Sequence, residues 1–227
     1  MIIVHHLNNS RSQRVLWLLE ELGLPYSVKR YERRPDMLAP KELRQVHPLG
    51  KSPVIENNGL KIAETGAIIE YLLDRYDTPD STGAGKLRPA RGTDAGRAFT
   101  YWLHYAEGSA MPLLLLKLVF MRMPANVPGL LRPLVKMIAG KGQARMTDPQ
   151  LTTHMTFWAE TLKATPWFAG QDFSAADIQM SFPLEAAASR VGLQPEHAVL
   201  REWLDRIHAR PAYQRALETG GPYELLK

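Results

Sequence analysis

A small α/β unit followed by an all-helical unit is the fold class that the sequence predicts, on three observations. From Met1 to about Tyr76 the segments are short and switch repeatedly between strand-like alternation and the 3.6-residue apolar period of a helix. Residues 77–92, DTPDSTGAGKLRPARG, concentrate Pro, Gly, Ser and charge, as a linker does. Beyond them only helical periods occur. The expected units are therefore 1–78, a linker at 79–92, and a helical unit at 93–227.

The elements follow in order. IIVHHL reads as a strand. SRSQRVLWLLEELGL reads as a helix, because Val15, Leu18, Leu19 and Leu22 recur at i, i+3, i+4 and i+7, with Gly23 where a C-cap belongs. PYSVKRY alternates like a half-buried strand, and a short helical turn is expected around Pro40–Arg44. A strand follows Pro53, and NNG at 57–59 reads as a hairpin turn into LKIA. ETGAIIEYLLDRY is a helix with two apolar faces: Ile68, Tyr71 and Leu72 on one, Ile69, Leu73 and Tyr76 on the other. The order β-α-β-α-β-β-α makes a small sheet whose last helix needs cover on both sides. In the second unit, FSAAD at 173–177 places an N-cap serine three residues before an acid, a capping box. Leu200, Trp203, Leu204 and Ile207 repeat the helical spacing.

Composition narrows the function classes. The chain has 227 residues, 45% hydrophobic and 22% charged, ordinary values for a protein with a real core. It contains no cysteine, which excludes disulfides, thiolate metal sites and a protein thiol as nucleophile. The amino terminus lacks a basic stretch followed by an apolar one, so no secretory signal is expected and a cytoplasmic setting fits. The net charge of +5 is modest, and its basic residues are not concentrated in one patch with interleaved aromatics, so it reads as a solvated surface rather than a nucleic-acid site. GAGK at 83–86 fails the phosphate-loop spacing. His5 and His6 are neighbours on a strand and point to opposite faces, so they cannot share a metal. No metal and no cofactor are expected.

VHPLGKSPVI, residues 46–55, sets a proline at the mouth of a strand, where it has no N–H to give to a ladder. One physical reason is a backbone left open there for something other than another strand.

SRSQRVLWLLEELGLPY, HPLGKSPVI, ETGAIIEYL, FSAADI and RPAYQRA, in this order and across nearly the whole chain, resemble the successive signatures of the cytosolic glutathione transferase family, of a serine type because no catalytic Cys is present. The resemblance implies a thioredoxin-like first unit and an α-helical bundle after it. It also implies a cis Ser52–Pro53 bond, which costs about 0.5–1 kcal/mol in an X–Pro pair. That turns the Ser52 backbone toward the cysteinyl backbone of glutathione, as if the tripeptide were one more strand.

The resemblance carries a site with it. Glu64 and Thr65 would meet the γ-glutamyl ammonium and carboxylate at a helix N-terminus. Lys51, with His47 beside it, would meet the glycyl carboxylate. A thiol of pKa about 8.5 needs roughly 2.7 kcal/mol of preference for its anion to titrate two units lower. A hydroxyl donor at a helix N-terminus supplies such a preference. With no Cys, and no Tyr in residues 1–25, Ser10 is the implied donor; Ser12 and Asn9 are its rivals in the loop NNSRS.

The expected function is a glutathione transferase, with glutathione as co-substrate attacking a small apolar electrophile, and with peroxide reduction as a further possibility. The alternative is a non-catalytic interaction module on the same fold. A homodimer is expected through the second apolar face of the third helix. SAMPLLLLKLVFMRM, Ser109–Met123, is the most apolar stretch. Lys117, Arg122 and Pro124 interrupt it, so it is too short to span a bilayer and no stable membrane insertion is expected. It reads as a core helix that also walls the acceptor pocket through Tyr105, Met111 or Leu115. A peripheral reading stands beside that one, because Lys117, Arg122, Arg132 and Lys136 suit anionic lipid.

Overall fold

Strand β1 (Ile2–Leu7) is the spine of the sheet in the computed structural model, which describes residues 1–77 and 87–226. Most of the expected linker, 78–86, lies outside the described residues. β1 pairs in parallel with β2 (Tyr26–Tyr31) and antiparallel with β3 (Val54–Asn57), which pairs antiparallel with β4 (Leu60–Ala63), giving the order β2-β1-β3-β4. The parallel pair is closed by helix α1 (Ser12–Glu21), the kind of crossover that parallel strands require. The β3–β4 turn is the predicted one: Asn58 and Gly59 both have positive φ, 51° and 81°, as a type I′ hairpin demands. Helix α2 (Leu43–Val46) is the short turn expected there, and α3 (Thr65–Tyr76) closes the unit.

α1 is unusual in being enclosed on all sides. Every residue from Ser12 to Leu19 is buried, polar Ser12, Gln13 and Arg14 included. Its apolar face meets the sheet, and Trp17 packs edge-on against Tyr213 in the helical unit at 5.0 Å. Arg210 adds a two-bonded ion pair to Glu21 at 2.6 and 2.9 Å.

The helical unit is built around α8 (Ala175–Arg190), buried continuously from Ala175 to Ala187. Its capping box is formed as expected: Ser174 Oγ accepts from the Ala176 N–H and Asp177 accepts from the Ser174 N–H at 3.0 Å. Helix α4 (Asp94–Tyr105) runs through one π-helical turn, Ala106–Ala110, into α5 (Met111–Arg122). α6 (Arg132–Gly142), α7 (Asp148–Ala164), α9 (Ala198–His208) and α10 (Pro211–Gly220) complete the α-helices among the described residues. Leu200, Trp203, Leu204 and Ile207 of α9 are all buried.

Two expectations need correction. Both apolar faces of α3 are consumed inside the chain, since Ile68, Ile69 and Leu72 are fully buried and Leu73 nearly so. Its outer side carries Ala67, Glu70 and Asp74, and of the two predicted faces only Tyr71 and Tyr76 stay half-buried, so α3 itself offers little apolar surface to a second copy. The stretch from Ser109 to Met123 is a core helix only at its start: α5 buries Met111 and Leu114 alone.

Candidate active site

The C-terminal end of β1, the Ser52–Pro53 loop and the N-termini of α1 and α3 meet at one end of the sheet, and specific hydrogen bonds tie them. Ser52 Oγ donates to the His5 carbonyl at 2.8 Å and accepts from the Leu7 N–H at 3.2 Å. The side chain thus replaces the ladder bonds that Pro53 cannot supply to β1, and β3 pairs with β1 only from Val54 onward. The Ser52–Pro53 peptide is cis.

Ser10 sits at the entrance of α1 and is almost buried, at 5% exposure. Its Oγ accepts from the Ser12 N–H at 3.2 Å, satisfying one of the free donors of the first turn. It also lies 2.7 Å from Ser12 Oγ, which in turn lies 2.8 Å from His6 Nδ1. Burial pushes the His6 pKa down to about 4, so the ring is neutral at physiological pH, and its contact with the Gly220 backbone opposes that shift only partly. In the neutral ring Nδ1 either accepts from Ser12 Oγ or carries the proton and donates to it, so the line Ser10–Ser12–His6 has two proton arrangements, one for each tautomer. Ser12 donates either to His6, with Ser10 donating to Ser12, or to Ser10, which frees the Ser10 hydrogen for an incoming anion.

The two rivals stand differently. Ser12 is fully buried, with His6 and the Leu7 carbonyl also within its reach. Asn9 is half-buried in the left-handed region at φ 49°, and its Oδ1 accepts from the Glu224 N–H at 2.8 Å.

Glu64 is exposed and holds a φ of 68°, a conformation costing a non-glycine residue about 1–3 kcal/mol and characteristic of functional positions. Thr65, directly after it, is buried at the first position of α3. Its Oγ1 accepts from Arg14 Nη2 at 3.4 Å, linking the two helix N-termini. Lys51 is exposed. His47 is half-buried and turned back on its own loop, its Nδ1 accepting from the Leu49 N–H at 3.4 Å.

Arg14 and Glu107 are the members that sequence reasoning did not single out for the site. Arg14 is buried to 1% yet charged, and it reaches Glu107 at 2.5 Å. Glu107 also takes two 2.9 Å bonds from Arg11 Nε. Burial works against the Glu107 carboxylate, but Arg14 and Arg11 outweigh it and hold its pKa below the ordinary value. Arg14 Nη1 donates to the Gln179 carbonyl at 2.6 Å. That carbonyl is free because Pro183, four residues on inside α8, has no N–H to offer it. A proline inside a buried helix is a sequence signal that could have pointed here, one that sequence reasoning left unused. Glu107 lies in the π-helical turn between α4 and α5, and such turns collect at functional sites.

The expected acceptor residues are placed unequally. The Tyr105 hydroxyl is turned to α7, accepting from Trp158 Nε1 at 3.0 Å and bonding His154. Met111, six residues on, is buried, whereas Leu115, one turn further, is 52% exposed.

Two helix N-termini brought to one end of the sheet favour anions, and the fully buried Arg14 links them through Thr65. The family model for the glutathione S-transferase N-terminal domain matches residues 1–74. Glutathione S-transferase 3 of Schizosaccharomyces pombe is 31% identical over 96% of this chain and 87% of its own length. Glutathione S-transferase 1 of Saccharomyces cerevisiae is 31% identical over 96% of this chain and 94% of its own. A crystal structure of a glutathione S-transferase from Actinobacillus pleuropneumoniae superposes with a TM-score of 0.78 at 32% identity, covering 100% of this chain and 96% of that one. Matched in its first domain by the family model and along nearly its full length by these relatives, the chain belongs to the glutathione S-transferase family.

Proposed function

We propose that the protein is a glutathione transferase that binds glutathione at the end of the sheet and turns its thiol into a nucleophile. The observation that carries this reading is the junction of the Ser52–Pro53 loop, the strained Glu64 with Thr65, and Ser10 at the mouth of α1. A module used only for protein contacts has no need of all three. The Ser52 backbone pairs with the cysteinyl unit, Glu64 and Thr65 take the γ-glutamyl end, and Lys51 with His47 takes the glycyl carboxylate.

That alignment leaves the thiol at the N-terminus of α1. Its proton passes to solvent, and the thiolate is stabilised by the Ser10 hydroxyl and the helix dipole. Sulfur then attacks an apolar electrophile; the C–S bond forms as the leaving group departs with its electron pair. Ser12, fully enclosed, acts as a positioning residue that sets the Ser10 rotor rather than touching sulfur. The setting is a reducing cytoplasm, where free glutathione is available as co-substrate.

Thermal melting with and without millimolar glutathione tests the binding. Stabilisation by about 2.7 kcal/mol at a hundredfold excess over Kd is expected. An unchanged melting point would overturn the reading in favour of an interaction module.

A further inference from the structure

The chain's net positive charge is accounted for by one segment, because that segment lacks carboxylates. Residues 108–147 hold Lys117, Arg122, Arg132, Lys136, Lys141 and Arg145 and not one carboxylate, so the rest of a chain with net charge +5 carries a net −1. Lys117 is paired with Asp148 at 2.7 Å. No ion pair among the described residues includes the other five.

The same segment is the most exposed apolar surface of the molecule. Between Val119 and Met146 only Ala139 is buried. Leu134, Met137 and Ile138 are each about half exposed on the side of α6 opposite Ala139, and Leu130 at the tip of the hairpin is 92% exposed. Lys141 and Arg145 continue that outward stripe at i+7 and i+11 from Leu134. On its inner side α6 packs against α5, with the Phe120 ring so close to Gly142 that an added Cβ would lie 3.0 Å from it. The outward stripe therefore faces away from α5.

We propose that the α5–α6 hairpin is a peripheral docking surface for an anionic phospholipid bilayer, with the Leu130–Ile138 stripe in the acyl boundary and the five free cations among the headgroups. The combination is that of an interfacial amphipathic helix. A second copy of the chain is a poor occupant, because a two-fold contact would set these cations against themselves with no carboxylate to answer them. A nucleic acid would answer the charge but gain nothing from leucine, methionine and isoleucine at the centre of the patch. The hairpin lies on the membrane rather than crossing it. Residues 94–126 are long and apolar enough to span, but Phe99, Trp102 and Leu103 are buried in the fold.

Sedimentation with vesicles tests the proposal, using phosphatidylcholine alone and phosphatidylcholine with phosphatidylglycerol in equal parts. The protein should pellet with the anionic vesicles only, and high salt should release it. Arg132→Glu with Lys136→Glu should weaken partition by at least 30-fold, at roughly a factor of five per cation near an anionic surface. Leu130→Ser with Leu134→Ser changes only exposed positions and should weaken it at least tenfold while glutathione binding persists. Failure to bind anionic vesicles would overturn the proposal, as would binding undiminished by the Leu→Ser pair. Conversion of a dimer to a monomer by that pair would assign the face to a second copy instead.

Discussion

Arg14 and Glu107, 93 residues apart, meet at 2.5 Å where the α/β unit joins the helical unit, and the arginine is the more deeply buried partner. A guanidinium at 1% exposure is held there by three acceptors: Glu107, the Gln179 carbonyl freed by Pro183, and Thr65. The pair couples the helical unit to the start of α3, so its loss should be felt both in stability and in glutathione affinity. Glu107→Gln is expected to cost about 3 kcal/mol, because it leaves the arginine charge buried without its counter-charge. Denaturant unfolding measures the first effect and calorimetric titration with glutathione the second.

Ser10→Ala should lower kcat/KM for conjugation by roughly 10- to 100-fold, the loss of one charge-assisted hydrogen bond of about 1.5–3 kcal/mol. Glutathione affinity should change little. Ser12→Ala should have the smaller kinetic effect, since Ser12 acts through Ser10. Full activity in Ser10→Ala together with inactivity in Asn9→Ala would move the thiol contact to Asn9.

The acid limb of stability should depend on His6. Its folded pKa, depressed to about 4, lies below the ordinary 6.5, so between these values the unfolded chain binds the extra proton. The contribution is present above about pH 6.5 and lost as pH falls toward 4. Asp177 works in the opposite sense. Burial raises it to about 6, so its contribution is present below about pH 4 and lost as pH rises through 6. His6→Asn keeps an acceptor for Ser12 and removes the titration. The stability difference between parent and variant should therefore shift by about 3 kcal/mol between pH 7 and pH 4, read from urea midpoints across that range.

Leu115 gives the cleanest test of the acceptor pocket. Tyr105→Ala and Met111→Ala each empty a buried site and should cost about 2–5 kcal/mol in stability. Leu115→Ala removes a half-exposed side chain and should instead raise KM for an apolar electrophile several-fold with glutathione affinity intact. Unchanged kinetics would place the pocket elsewhere.

A homodimer is expected for this protein. With most of α3's apolar side chains buried, Tyr101 on α4, which is 49% exposed, adds apolar surface for the contact. Sedimentation at micromolar concentration should give twice the 25.6 kDa chain mass. A species at the chain mass would rule the dimer out.

Much of this molecule follows from local pattern. Alternation and helical period determine the order of elements, Asn58 and Gly59 determine the hairpin, and Ser174 with Asp177 determines the start of α8, because each rests on backbone preferences or neighbours a few residues away. The loop with Ser52 and Pro53, and the pair Glu64 and Thr65, were singled out through the family resemblance, and the structure brings that loop and that helix start to the same end of the sheet. What the tertiary structure decided is everything that depends on which surfaces meet. Periodicity shows that α3 has two apolar faces, but not that both are covered within one chain. It shows that the stretch around α5 is apolar, but not that α5 and α6 leave most of it exposed with the cations gathered on it. The Arg14–Glu107 pair is the plainest case: two charges far apart in sequence carry no mutual signal until packing removes one of them from water and leaves the other as its nearest counter-charge.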